Sequence, residues 1–306
     1  MSIFATKWEK IALQARKEPK TAPFGASKTI GFPYLTLRMD ISILIPVYRW
    51  DSSQLVADLK KQAEALHISY EIIEADDERL QFGRAKVRNF LASKAKGKLL
   101  LFIDCDAAVD NDEYLKRYLD VADKAPVVCG GCHHADKLPS PSVSLRWRYE
   151  KRADKKRAAK YRSRHPYVQF STFNFLIRHD VFSDIQFDES CKGYGHEDTL
   201  FGAELKEKKI PILHIDNPLR HDGLETNGRY LAKTREALRN LRRKQTELTG
   251  FSPLLRSYHI LVRLGLDERL ANFFEAHRDW FEKMMKKKNP SLFLFKIYKL
   301  GYYCHI

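Results

Sequence analysis

An α/β fold, with a mostly parallel central sheet flanked by helices and a helical C-terminal extension, is predicted by three features of the sequence. Short apolar runs of strand length alternate with amphipathic stretches of helix length, which implies βαβ crossovers and a sheet covered on both faces. Three of the predicted strands end in polar or acidic residues, Pro46-Val47-Tyr48, Asp76-Asp77 and Asp104-Cys105-Asp106. In open α/β sheets ligands bind beyond the carboxyl ends of the strands, so these ends mark a candidate site. Beyond residue 226 the apolar residues recur only at three- and four-residue intervals, the signature of helices.

Residues 1–38 are basic and punctuated by Pro and Gly, with one short helical stretch over 7–16, and read as an N-terminal extension. A domain follows over 39–225. Its first strand covers 41–48 and is closed by proline; Asp51-Ser52-Ser53 then starts a helix whose apolar face is Leu55, Leu59, Ala63 and Leu66. Residues 70–75 form a second strand and 84–95 a second helix. The run 99–103 is five consecutive apolar residues, which suits a strand buried on both faces. A helix over 112–124, a strand over 125–129, a strand over 172–178 and a strand over 211–215 complete the pattern. Residues 226–306 form a helical, basic C-terminal region. There Leu231, Thr234, Leu238, Leu241, Gln245 and Leu248 define one packed face, and the last stretch joins lysines to an aromatic tail too short and too charged to span a bilayer. That tail docks either on the protein or at a membrane interface.

The chain carries 54 Lys+Arg against 39 Asp+Glu, a net charge of +15, which favours polyanionic company such as nucleotide phosphates, nucleic acid or an anionic membrane. Five cysteines, odd in number and sparse, together with an N-terminus lacking an apolar leader, fit a reducing, cytoplasmic setting. Cys129-Gly130-Gly131-Cys132-His133-His134 looks like half of a zinc site, but no partner pair stands at suitable spacing.

The chemistry concentrates in a few segments. Asp104 and Asp106 are two residues apart at a strand end, so they point the same way and suit a hard cation with open positions for a diphosphate. Alone, such a pair also serves as strand-end solvation or a helix cap. Gly193-Tyr194-Gly195-His196-Glu197-Asp198 is a glycine turn that opens a helix and presents two carboxylates. They are either ordinary partners of the helix dipole or a general base with an acceptor-binding neighbour. Residues 146–164 hold ten Lys/Arg in nineteen, either a solvated helix face or an anion-facing segment. Arg220-His221-Asp222-Gly223 reads as a turn, where a lone histidine is more often structural than ligating.

Taken in order, the strand ISILIPVYR, the strand EIIEADD, the segment GRAKVRNFLASKAKGKLLLFIDCD, the strand TFNFLIR and the segment FDESCKGYGHEDTLFGAEL resemble glycosyltransferase family 2, with the type-A nucleotide-sugar fold. The Gly-x-Gly-x-Glu-Asp version is similar to the branch holding chondroitin-polymerase-type and β-1,4-galactosyltransferase-type domains. The resemblance implies that Pro46, Tyr48, Asp76 and Asp77 line the pocket for base and ribose, with Arg84 and Arg88 beside it. It implies that Asp104 and Asp106 hold ribose and metal, that His221 completes the Mn2+ or Mg2+ site, that Glu197 binds the acceptor and that Asp198 is the base. Two positions depart from the pattern: Glu78-Arg79 follows the paired acids where Gly-Ser is usual, and Tyr194 stands where Trp is common.

The activity implied is inverting, metal-dependent transfer from a UDP-sugar to a hydroxyl of a glycan or lipid-linked acceptor. The setting implied is polysaccharide or surface-glycan synthesis in the cytoplasm, with peripheral association on the inner membrane face and no nucleic acid as partner. A sugar nucleotidyltransferase is the alternative enzyme, but PVYRWDSS lacks the glycines of a phosphate loop. A basic nucleic-acid-binding protein is the alternative of another class, and it leaves the acidic strand ends unexplained.

Overall fold

The computed structural model describes residues 39–306 apart from Lys155 and Lys192; the N-terminal extension and its short helix lie outside the described residues. The elements follow the alternation of the sequence: β1 (Ile41–Val47), α1 (Ser53–Ala65), β2 (Tyr70–Asp76), α2 (Asp77–Leu80), α3 (Arg84–Lys94), β3 (Leu99–Ile103), β4 (Ala107–Ala108), α4 (Tyr114–Leu119), β5 (Val127–Cys129) and β6 (Cys132–His133). Then come α5 (Ser144–Asp154), α6 (Ala159–Arg162), β7 (Asn174–Arg178), α7 (His179–Asp184), α8 (Glu197–Glu207), β8 (Ile212–His214) and β9 (Leu219–His221). Five helices finish the chain: α9 (Asn227–Arg243), α10 (Pro253–Arg263), α11 (Asp267–Ala276), α12 (Arg278–Met285) and α13 (Leu292–His305).

The main sheet has the order β2-β1-β3-β7-β5-β8. Its strands run parallel except β7, which is antiparallel to both β3 and β5. Period-two alternation sends Leu44, Leu100, Phe102 and Phe175 into one core, and Ile43, Ile45, Leu101, Ile103 and Leu176 into the core on the opposite face. Burial on both faces is the reason these strands read as continuous apolar runs.

A second sheet, β4-β9-β6, corrects the sequence reading of residues 220–223 as a turn. Leu219–His221 pairs with β4 on one side and β6 on the other, so partners distant in sequence make this stretch extended. The helix expected over 112–124 is also shorter. It ends at Leu119, and the Tyr114 and Tyr118 hydroxyls anchor it by donating to Asn174 Oδ1 at 2.6 and 2.7 Å.

The C-terminal helices bury a third core. Leu231, Leu238 and Leu241 of α9 and Leu248 beyond it pack with Phe274, Phe281, Phe295, Tyr298, Tyr302 and Tyr303, as the periodicity of α9 required. The tail aromatics thus pack into this core, and of Phe293, Phe295, Tyr298, Tyr302 and Tyr303 only Phe293 stands out, 70% exposed. Among the described residues no helix is long and apolar enough to cross a membrane.

Candidate active site

At the end of β1, Pro46 sits in a strand with neighbours on both sides. It is tolerated because pairing with β3 stops at Leu44, so its missing N–H breaks no bond there. Tyr48 follows, half exposed. At the end of β2 the two acids hold a tight turn. Asp76 Oδ1 accepts from the Glu78 and Arg79 amides at 3.0 and 3.2 Å, and Asp77 Oδ1 accepts from the Phe82 and Gly83 amides at 3.0 and 2.8 Å. Glu78, one of the departures from the family pattern, pairs with Arg49 at 2.6 Å. This turn delivers the chain into α3, whose first residue is Arg84.

The structure separates the two carboxylates at the end of β3. Asp104 Oδ1 accepts from Arg88 Nη2 at 2.5 Å, and Arg88, 1% exposed, also donates from Nη1 to the Arg84 carbonyl at 3.0 Å. Asp106 turns towards the second sheet, where the β4–β9 register sets Ala107 opposite His221. Asp106 Oδ2 lies 3.1 Å from His221 Nε2, and its carbonyl accepts from the Asp222 amide at 3.0 Å. Gly223 is required here, because a Cβ on it would sit 1.9 Å from Asp106 Oδ2. Burial opposes the charge on both partners. Even so, His221, Arg146 and Arg84 hold the Asp106 carboxyl below its usual range, and Asp106 and Glu150 raise His221 to about 9.

The loop before α8 bends through three positive φ angles, at Gly193, Gly195 and His196 (77, 94 and 74°), the first two suited by glycine. Helix α9 pins it. Asn240 Nδ2 donates to the Tyr194 and Gly195 carbonyls at 3.1 and 3.4 Å, and a Cβ on Gly195 would come within 2.6 Å of Ala237 Cβ. The Tyr194 ring receives two cations, with Arg84 Cζ at 4.7 Å and Lys233 Nζ at 4.8 Å from its centroid. Arg84 Nη1 donates to Glu197 Oε1 at 3.2 Å, while Glu197 Oε2 is buried without a hydrogen-bond partner. Burial disfavours the Glu197 anion, but Arg84 and Arg88 still keep its carboxyl low. Asp198 Oδ1 accepts from the Thr199 amide and hydroxyl at 2.7 and 3.1 Å. Burial first, then the Glu197 charge, raises Asp198 to about 6.

Helix α5 supplies residues that sequence reasoning missed. Arg146 Nε donates to Glu150 Oε1 at 3.0 Å, its Nη1 donates to the Gly223 carbonyl at 2.9 Å and pairs with Glu225, and its Nη2 lies 3.2 Å from His221 Nε2. Glu150 Oε2 lies 3.4 Å from His221 Nδ1 and 2.5 Å from His134 Nε2. Among the described residues, His134, Glu150 and His221 form the group whose donor atoms are close enough to share an ion, all within 4.8 Å. No cysteine belongs to it, and Cys129 is buried with its thiol pushed up to about 12 by that burial. The basic run 146–164 is therefore neither simply solvated nor simply anion-facing. Arg162 likewise turns inward, donating to the carbonyls of Cys129, Gly130 and Ile215. The signal available in sequence was the Glu150 carboxylate four residues after Arg146, an i,i+4 pair inside a basic helix.

Residues 50–186 match the family model described as Glycosyl transferase family 2. No curated protein matches the chain. Among solved structures, S. aureus TarS 1-349 aligns at 18% identity over 66% of this chain and 65% of that one, with a TM-score of 0.40. The mannosyltransferase PcManGT from Pyrobaculum calidifontis, in complex with GDP-Man and Mn2+, aligns at 12% identity over 68% of this chain and 64% of that one, with a TM-score of 0.43. Glucosyl-3-phosphoglycerate synthase from Mycobacterium tuberculosis aligns at 12% identity over 67% and 81%, with a TM-score of 0.43. The alignments thus span slightly less than two thirds of the TarS and PcManGT chains. The family 2 match thus covers β2, β3, β5 and β7 of the sheet, and with them the strand-end acids Asp76, Asp104 and Asp106.

Proposed function

We propose that the chain is an inverting, metal-dependent glycosyltransferase that moves a sugar from a UDP-sugar to a hydroxyl of a glycan or lipid-linked acceptor. One observation carries the reading. Arg84 ties the Glu197–Asp198 loop to the strand-end acids, pairing with Glu197 while Asp104 and Asp106 lie within reach of its charge. One guanidinium thus links the loop that carries the proposed base to the proposed cation site, which supports a reading as transfer between a donor and an acceptor.

Mn2+ or Mg2+ would be held by Asp106 and His221. Their donor atoms lie 3.1 Å apart, and a carboxylate with an imidazole suits such an ion. When bound, the cation would neutralise the diphosphate as it leaves. The remaining work falls to the chain. Pro46, Tyr48, Asp76 and Asp77 line the base and ribose pocket, with Arg84 and Arg88 beside it and Asp104 facing the ribose. Glu197 offers its unpartnered Oε2 to the acceptor. Asp198, with a pKa of about 6, is ionised at neutral pH and accepts the proton of the attacking hydroxyl. One displacement inverts the anomeric carbon. Residues 39–225 carry the chemistry, and α9 in the 226–306 region holds the acceptor loop in place.

The acceptor side fits surface-glycan synthesis on the cytoplasmic face of a membrane, with α10 as the element that meets lipid. Ile260 and Val262 of α10 and Leu264 just after it (64%) are exposed beside Arg256 and Arg263, and no acidic residue falls between 252 and 266. A thermal-shift panel of nucleotide sugars with and without Mn2+ tests the donor assignment. UDP-sugars should raise the melting temperature more than other nucleotide sugars and only with the ion; a shift for none of them refutes it.

A further inference from the structure

We propose that Glu150 is a positioning residue for the cation, keeping the proton of His221 on Nδ1 so that Nε2, beside Asp106, is the nitrogen that gives up its proton when the ion binds. The inference rests on the reading that Asp106 and His221 bind Mn2+ or Mg2+. An imidazole that ligates through Nε2 must carry its proton on Nδ1, and a hydrogen-bond acceptor beside Nδ1 selects that form. Glu150 Oε2 is the carboxylate oxygen that faces Nδ1, paired with it at 3.4 Å. Arg146 makes the same choice from the other side. A guanidinium has donors only, and its Nη2, 3.2 Å from His221 Nε2, asks for a lone pair there.

Asp106 alone would select the opposite tautomer, since a carboxylate 3.1 Å from Nε2 invites a proton onto it. The α5 pair therefore offsets the influence of the very ligand that shares the ion. Glu150 is in turn fixed by Arg146 Nε at 3.0 Å and by His134, itself 1% exposed and bonded through Nδ1 to Asp154 at 2.9 Å. The carboxylate is thus set by α5 and by the residue after β6, while the histidine it orients comes from β9.

The test is Mn2+ titration of the full-length protein, with UDP present, followed by the electron paramagnetic resonance signal of free Mn2+. Glu150→Gln keeps the shape but lets an amide donate to Nδ1, and should weaken Mn2+ binding about 10–100-fold, the usual effect of removing such a partner. Glu150→Asp is shorter but still an acceptor and should retain more affinity than Glu150→Gln. His134→Gln, which leaves Arg146 Nε on Glu150, should lose less Mn2+ affinity than Glu150→Gln does. Wild-type affinity in Glu150→Gln, alongside weakened binding in His221→Ala, overturns the role of Glu150 alone. Unchanged affinity in His221→Ala instead overturns the metal reading beneath it. Greater loss in Glu150→Asp than in Glu150→Gln means the side chain matters for volume, and equal loss in His134→Gln means direct ligation; either result overturns the proposal.

Discussion

Replacing Asp198 with Asn should separate activity from stability. In the folded protein the carboxyl is partly buried beside the Glu197 charge, and its pKa rises from 3.8 to about 6. The sign follows from proton uptake: between these values the folded state holds a proton that the unfolded state has lost, so stability falls as pH climbs from about 4 to 6. Above pH 6 the anion costs the fold about 3 kcal/mol if the whole shift is counted, and nearer 1–2 kcal/mol after allowing for partial exposure. Asn keeps an acceptor for the Thr199 amide and carries no charge. The variant should therefore melt higher than wild type at pH 7.5, by an amount that vanishes near pH 4. Turnover should fall by about two to four orders of magnitude, the contribution of a positioned base, with UDP affinity intact. Wild-type kcat/KM should rise with pH through about 6 and then level. Steady-state kinetics and melting curves across pH 4–8 check each part. Wild-type turnover would remove Asp198 from the role of base and leave Glu197 as its replacement; a variant that melts lower at pH 7.5 would refute the electrostatic argument.

Gly223→Ala should abolish Mn2+-dependent UDP binding, since the added Cβ would meet Asp106 Oδ2 at 1.9 Å; calorimetry showing wild-type affinity would mean that Asp106 is free to move. Tyr298→Ala should cost about 3–5 kcal/mol, because the ring is fully buried among Phe274, Phe281 and Phe295, and a melting temperature near wild type would contradict docking of α13 as a core element. Ile260→Asp with Leu264→Asp should release the protein from vesicles containing anionic lipid while sparing transfer to a soluble acceptor. Vesicle flotation that does not respond to this double change, or to salt, sinks the role of α10.

Much of the fold was legible because the sheet is buried on both faces. The five apolar residues of 99–103 are β3 to the residue, and α3 and α9 follow their periodicity within a residue or a few. Residues 219–221 were not legible, since a three-residue strand has no period and exists only because β4 and β6 supply partners. The reversed course of β7 was hidden for a related reason: the long connection through α5 and α6 has no signature of direction. In the site, the acids at the strand ends and the Glu197–Asp198 turn announced themselves by position. Their pairings did not. Asp104 with Arg88 could have been guessed from proximity, but Arg146 reaches His221 across 75 positions, and a run of ten basic residues conceals the few that turn inward. The aromatic tail carried two meanings, insertion or docking, and only the packing of Phe295, Tyr298, Tyr302 and Tyr303 chose between them.

In the proposed function a divalent ion on Asp106 and His221 joins the donor diphosphate to the sheet. Isothermal calorimetry of UDP with the full-length protein, in Mn2+ and in EDTA, tests it most directly. Strong binding is expected only with Mn2+, lost in Asp106→Asn and weakened less in His221→Ala, where one of several ligands is removed. Equal affinity for UDP in EDTA and in Mn2+, unchanged by Asp106→Asn, would contradict it.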